Sequence, residues 1–243
     1  AFKIKDKTYT MQKSIQFTDK QYYCKQAVLD GLYDLFKNVS ELFKANNINV
    51  FAIAGTLISV VRHGYFMPWD DDIDLGYKYE EEHEKIKKLN KELKRMNYSL
   101  YECVPGFVVQ DRKNRAVTMD LFGICVNNDA ENNRSKSVEY QYGAPFVDKK
   151  ATFLCCSYWP KEVFMPCEIN KVKKASICGL EIYVPKNAEM VLQKHYGESV
   201  MTEVRGVPSS KVHVLRYLQF MMPFLEKNIS HEVGDYIAKH LLM

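Results

Sequence analysis

No apolar stretch of this sequence is long enough to cross a bilayer. The longest, Val50 to Val61, is about 12 residues and is interrupted by Gly55, Thr56 and Ser59, whereas a spanning helix needs roughly 20. It belongs in a core. Nor is there a surplus of one charge: 34 Lys+Arg against 30 Asp+Glu leave +4, spread along the chain without a basic arm. That excludes a bulk electrostatic grip on nucleic acid and leaves room for an anionic small molecule held by a few local cations. No internal repeat, low-complexity segment or clean linker divides the 243 residues, so one large domain is expected. The 47% hydrophobic content supplies a core and excludes disorder.

Zinc-finger spacing is missing as well. The seven cysteines, at 24, 103, 125, 155, 156, 167 and 178, contain no C-x2-C hairpin, and the adjacent pair 155 and 156 is poorly placed to face one ion. A Cys167 to Cys178 disulfide closing a short loop is expected instead. Four glycosylation sequons, at Asn38, Asn97, Asn133 and Asn228, point to the secretory lumen, Golgi or ER, where disulfides are tolerated. The chain begins at Ala1 rather than Met, so membrane attachment is expected only through an N-terminal anchor preceding it.

Thr18 with Gln21 resembles a capping box, and apolar residues at 28, 32, 35, 36, 39, 42 and 43 follow with helical spacing up to Asn46 and Asn47. Val50 to Ala54 reads as a buried strand, and Gly55-Thr56 as a turn into a short helical run that Gly64 stops. A helix over Glu81 to Asn97 has a stripe of Ile86, Leu89, Leu93 and Met96 with a solvated charged face. Strands at 98–103, 107–111 and 116–124, turning at Pro105-Gly106 and Lys113-Asn114, predict an antiparallel meander, and a single acid, Asp120, sits in the last of them. Asn127 to Ser137 is polar and is expected to be an exposed loop. A strand near 180–184, a helix over 187–195 and two C-terminal helices, at 212–224 and 232–242, complete the prediction.

The chemistry concentrates in Met67-Pro68-Trp69-Asp70-Asp71-Asp72-Ile73-Asp74-Leu75-Gly76. Four carboxylates within five positions repel one another and lose hydration on burial, so a cation is expected among them. The alternation Asp72, Ile73, Asp74, Leu75 is that of a strand with one wet face, which puts Asp72 and Asp74 on the same side about 6.5 to 7 Å apart. Asp70 can join from the strand entry, while Asp71 points away. Carboxylates without His or Cys select a hard ion, Mg²⁺ or Mn²⁺. An EF-hand count fits Asp70, Asp72, Asp74 and Glu81, but its sixth position needs Gly and is Leu75. A solvated acidic turn without a ligand is the blander alternative, opposed by the flanking Trp69, Ile73 and Leu75. The Gly55-Thr56 corner offers backbone N–H groups and a hydroxyl suited to phosphate. A strand, a Gly-Thr corner and an Asp-X-Asp strand about sixteen residues later form the pattern of the polymerase-β-type nucleotidyltransferase fold. The fold class expected is therefore α/β: a mixed sheet flanked by helices, with C-terminal helical elaboration.

The run from Ala54-Gly55-Thr56 through Arg62-His63-Gly64 to Trp69-Asp70-Asp71-Asp72-Ile73-Asp74-Leu75 closely resembles the signature of the LicD family, which includes bacterial phosphocholine transferases and the animal fukutin and fukutin-related proteins. Val117 to Phe122 is similar to the family's later acid-bearing strand, and Lys194-His195-Tyr196-Gly197 to its C-terminal aromatic-Gly step. The resemblance implies transfer of phosphocholine or ribitol 5-phosphate from a CDP-activated donor to a glycan or glycoprotein hydroxyl, with CMP leaving. It implies Asp72 and Asp74 as the metal pair, Asp120 as the third acid, Asp70 as an accessory ligand, and Gly55 with Thr56 as the phosphate cradle. Asp120 could also accept the acceptor's proton.

Arg62 is a candidate pyrophosphate clamp, since its forked donors match phosphate oxygens, with a surface helix end as its alternative. Gln110, Asp111 and Arg112 are second-rank candidates for lining the cleft. His63 is either a phosphate contact or a helix C-terminal residue, and Tyr65, Phe66 and Trp69 are either an aromatic box for a choline ammonium or core. The expected organisation is an N-terminal extension (1–19), a catalytic domain (20–205) and C-terminal helices packed on it (206–243). Two rival functions remain: a nucleotidyltransferase acting on another acceptor, and a non-catalytic family member serving as a binding partner.

Overall fold

The computed structural model describes residues 1–17, 23–103, 106–126, 140–142 and 162–204. The chain forms two compact units, Ala1–Gln16 with Tyr22–Val204, and Phe17–Gln21 with Arg205–Met243. The second lies almost wholly outside the described residues, as do the capping box, the 127–137 loop and both C-terminal helices expected from the sequence. Residues Ala1–Gln16, expected as part of an extension, belong to the first unit. Strands β1 (Phe2–Ile4) and β2 (Lys7–Tyr9) form an antiparallel hairpin. Gln16, in β3 (Gln16–Phe17), donates its N–H to Thr202 O.

Helix α1 (Gln26–Ala45) buries Val28, Leu29, Leu32, Leu35, Phe36, Val39 and Phe43, the 3.6-residue stripe its sequence spells out. Gly31 brings it close to the sheet: a Cβ there would meet Val117 Cγ2 at 2.6 Å. After the short strand β4 (Phe51–Ala52) the chain turns sharply, with Ala54 held at a φ of +44°, a left-handed conformation unusual for a residue with a Cβ. Helix α2 (Ala54–Ile58) follows and widens into a π-helical turn over Ser59–His63, which Gly64 ends at φ +75°.

The main sheet runs β4, β5 (Asp72–Lys78), β8 (Thr118–Val126), β7 (Gly106–Asp111), β6 (Tyr98–Cys103), and β9 (Tyr140–Tyr142) also pairs with β8. The meander of β6, β7 and β8 is antiparallel, as predicted, and β5 pairs with β8 in parallel. This is the mixed α/β sheet expected from the sequence. Ile73, Leu75, Met119 and Leu121 form its dry face, each 1% exposed or less. The predicted 81–97 helix is two, α3 (Tyr79–Lys88) and α4 (Asn90–Arg95), broken at Leu89, where ψ is −1°. Helices α1 and α3 both pack on β5 and β8.

Beyond α5 (Pro166–Ile169), strands β10 (Val172–Ile177) and β11 (Leu180–Pro185) form a hairpin whose two turn residues, Cys178 and Gly179, both have positive φ. That is the primed turn whose twist matches the strands it joins. It also corrects the expected Cys167–Cys178 disulfide: both are free thiols, Cys167 exposed on α5 and Cys178 buried in the turn. Helix α6 (Ala188–Tyr196), a 3-10 turn (Glu198–Met201) and β12 (Glu203–Val204) complete the described chain.

Candidate active site

Register puts the acids together. Because β5 and β8 run in parallel with Asp72 opposite Thr118 and Asp74 opposite Asp120, the odd and even faces coincide, and all three carboxylates emerge on the side away from Ile73 and Leu75. One carboxylate oxygen from each of Asp72, Asp74 and Asp120 lies within 4.8 Å of the others. The strand spacing of about 4.8 Å accounts for the Asp74 to Asp120 neighbourhood, and the two-residue repeat for Asp72 beside Asp74.

The Gly55-Thr56 corner is turned on Asp74. Gly55 N–H donates to Asp74 Oδ2 (3.1 Å), and the Asp74 N–H donates to Thr56 Oγ1 (2.8 Å). Ile53 N–H donates to Asp74 O at 3.2 Å. A cradle of free groups awaiting phosphate was expected; here the corner clamps the backbone and carboxylate of Asp74, one of three aspartates that could hold a metal ion. A Cβ at Gly55 would lie 2.7 Å from Asp70 Oδ2 and 3.3 Å from Asp74 Oδ2, so a larger residue there would displace the Asp70 carboxylate. Asp70 thus sits over the corner beside the triad, without joining the group within 4.8 Å. Cys24, unremarked in the sequence, fastens this turn: its N–H donates to Pro68 O (2.7 Å) and its thiol to Asp70 O (3.4 Å).

Burial, followed by repulsion from neighbouring carboxylates, raises the pKa of Asp70, Asp72, Asp74 and Asp120 and makes each a weaker acid. Asp72 moves from 3.8 to about 7, with burial first and the charge of Asp71 second. Asp70 and Asp120 are held well above the ordinary range by burial and then by Asp72 and Asp71. Asp74 is raised in the same direction by burial and then by Asp72, Asp70, Asp120 and Glu162. A divalent cation relieves the repulsion and restores the ionised forms, and an all-oxygen donor set of three carboxylates fits such an ion. Glu162 was not foreseen. It accepts a hydrogen bond from Tyr196 Oη at 3.0 Å, and nothing local in its sequence marks it.

The other expected site residues do different work. Arg62, 8% exposed, donates Nη1–H to Val200 O (2.7 Å) and Glu203 O (2.8 Å), Nε–H to His63 Nε2 (2.8 Å), and Nη2–H to Met67 Sδ (3.3 Å). It ties the π-helical turn to the segment at 198–204, contrary to its expected role as a pyrophosphate clamp, because buried guanidinium donors must be satisfied and backbone carbonyls are at hand. Burial lowers its pKa to about 10. Gln110 shares the acids' sheet face through its register with Thr118, but it is buried and its amide donates to Arg115 O at 2.8 Å. Asp111, the last residue of β7, accepts from Lys113 N–H (2.8 Å). Arg112 is exposed past the end of β7, with its backbone N–H on Asn97 O. His63 is driven to a pKa of about 4 by burial and then by Arg62. Tyr65, Phe66 and Trp69 are buried, Tyr65 against Phe2 and Tyr9 and Phe66 against Phe36. Core packing accounts for them, and among the described residues these three form no open aromatic box.

The family model for the LicD/FKTN/FKRP nucleotidyltransferase domain matches residues 47–187, more than half of the chain. The chain belongs to this family. The matched span contains β4 through β11, hence the corner, the triad and Glu162. Among its relatives, the uncharacterised protein RP689 of Rickettsia prowazekii (strain Madrid E) is 25% identical over 178 residues, covering 69% of this chain and 54% of that protein. Its counterpart RT0683 of Rickettsia typhi (strain ATCC VR-144 / Wilmington) is 25% identical over 179 residues, 74% of this chain and 50% of that one. The chain therefore spans about half the length of these relatives. The lincosamide antibiotic adenylyltransferase LnuA, in its lincomycin-bound crystal structure, aligns with a TM-score of 0.41 and 13% identity over 70% of this chain and 94% of its own.

Proposed function

We propose that the protein moves a phospho-linked small group, phosphocholine or ribitol 5-phosphate, from a CDP-activated donor to a glycan or glycoprotein hydroxyl, releasing CMP, with Mg²⁺ or Mn²⁺ as cofactor. The observation that carries this reading is the convergence of Asp72, Asp74 and Asp120 beside a glycine corner, in a chain whose family is that of a nucleotidyltransferase domain. Phosphoryl transfer asks a protein mainly for positioning and for charge to offset the phosphate oxygens. A divalent ion, when bound, would supply that charge. The three aspartates would hold it, and the bonds from Gly55 and to Thr56 fix Asp74 before substrate arrives. Asp70, beside them, is an accessory ligand.

The working place proposed is the secretory lumen, Golgi or ER. In support, Asn97 stands exposed in a left-handed turn at φ +64°, an accessible sequon. Asn38 donates Nδ2–H to Tyr98 Oη (2.8 Å).

The test is to incubate the protein and Mn²⁺ with CDP-choline, CDP-ribitol or CDP-glycerol and a panel of acceptor glycans, measuring CMP. One donor should give acceptor-dependent CMP release, and Asp74→Asn should reduce it by about 100-fold or more while leaving the circular dichroism spectrum unchanged. Unreduced release in that variant rejects the site. Preference for a nucleoside triphosphate points to a nucleotidyltransferase instead, and a total lack of metal-dependent nucleotide binding to a non-catalytic partner.

A further inference from the structure

We infer that Glu162, held in place by Tyr196, receives the acceptor hydroxyl and takes its proton, a role separate from that of the three metal-binding aspartates; this rests on the transfer reaction proposed above. The residues that follow Glu162 are pinned along the last turn of α6. Tyr196 Oη donates to Glu162 Oε1 (3.0 Å), and His195 Nε2 lies 3.1 Å from Val163 O. Phe164, 1% exposed, meets the His195 ring edge-on at 5.0 Å. Glu168 accepts from Lys194 Nζ (2.6 Å) and Met165 N–H (2.7 Å). Anchors at successive positions give Glu162 little freedom to wander. Helix α6 in turn packs on α2, whose first residues hold Asp74.

Through Tyr196 on α6, and α6 on α2, Glu162 is joined to the element that holds Asp74 without being one of the ligand set. Its charge reaches Asp74, after those of Asp72, Asp70 and Asp120, yet the oxygens within 4.8 Å of one another come from Asp72, Asp74 and Asp120. Tyr196 is 36% exposed and donates its hydroxyl to one carboxylate oxygen of Glu162; a phenol is protonated at neutral pH, so it serves as a standing donor. A general base must lie within hydrogen-bond reach of the hydroxyl it deprotonates, and carboxylates engaged with a cation have fewer lone pairs to offer. Glu162 divides the labour. In the step, the acceptor oxygen forms a bond to the donor's substituted phosphorus and the bond from that phosphorus to the CMP oxygen breaks. The electron pair leaves on CMP, and the hydroxyl proton passes to the Glu162 carboxylate. Tyr196 is a positioning residue.

The experiment compares wild type, Glu162→Gln and Tyr196→Phe by Mn²⁺ calorimetry and by separating CMP released to acceptor from CMP released to water. Glu162→Gln should lower acceptor transfer about 100-fold and Tyr196→Phe about tenfold, as for loss of one hydrogen bond. Both should keep Mn²⁺ affinity within twofold of wild type, and both should raise the ratio of hydrolysis to transfer. Undiminished transfer overturns the inference, and so does loss of Mn²⁺ affinity, which would make Glu162 a ligand. An equal fall in hydrolysis and transfer also overturns it, by marking a merely structural role. Should Glu162→Gln fail to fold, Tyr196→Phe decides alone. A wild type that cleaves no CDP donor under any condition refutes the proposed function itself, a result distinct from all of these.

Discussion

Metal binding should expel protons from this protein, in an amount the site itself sets. Asp72 has a pKa of about 7 and Asp70, Asp74 and Asp120 lie well above the ordinary range, so the metal-free cluster is partly neutral near pH 7. Carboxylates bind a cation in their ionised form, so each proton held must leave when the ion enters. Asp72 alone holds about 0.9 proton at pH 6, 0.5 at pH 7 and 0.1 at pH 8, and its companions add to that. Mn²⁺ titrations in two buffers of different ionisation enthalpy should therefore give different heats at pH 6. Proton release should shrink toward pH 8, and apparent affinity should rise with pH by up to about tenfold per unit for each proton displaced.

The same shift has a stability counterpart of definite sign. The folded-state pKa of Asp72 is raised, so the metal-free fold binds more protons than the unfolded chain between pH 3.8 and about 7. The contribution is full below pH 3.8 and is lost as pH rises through 7. A three-unit shift corresponds to ~4 kcal/mol at most; because Asp72 keeps part of its surface on water, ~1–2 kcal/mol is the figure expected in urea unfolding. Saturating Mn²⁺ should abolish this decline. Heats that are independent of buffer, together with an affinity that is flat from pH 6 to 8, would falsify the account, because they would mean the four aspartates are already ionised in the free protein.

Two further outcomes follow from the structure. Arg62→Ala leaves Val200 O and Glu203 O without their donor and should destabilise the fold by ~2–4 kcal/mol in denaturant unfolding; Mn²⁺ affinity should stay within a few-fold, whereas an unaltered stability with lost donor affinity would restore the clamp role. When the chain is made in a secretory pathway, mass spectrometry should find glycan on the exposed Asn97 and none on Asn38, whose amide nitrogen is bonded to Tyr98 Oη; glycan on Asn38 and not Asn97 contradicts the placement of both side chains.

Much of the fold was legible in local pattern. The stripe of α1, the alternation of Asp72 to Leu75 and the stop at Gly64 each depend on neighbours within a few residues, where periodicity and backbone preference act. The break at Leu89 was not legible, because neither Gly nor Pro marks it. Strand β10 was missed because its turn, Cys178-Gly179, carries only a glycine in the second position and lacks the usual Asn or Asp in the first.

The sequence alone therefore determined the family, the acid-bearing strand and the expectation of a cation, since crowded carboxylates carry their own electrostatic demand wherever the chain leads them. Tertiary structure decided who meets whom. Only the parallel pairing of β5 with β8 brings Asp120 to Asp74, only the return of α6 joins Tyr196 to Glu162, and only proximity to Val200 and Glu203 turns Arg62 from a ligand candidate into a strut. Such encounters join residues far apart along the chain, and the choice among them is made by strand register and by the need to satisfy buried polar groups, neither of which leaves a local trace.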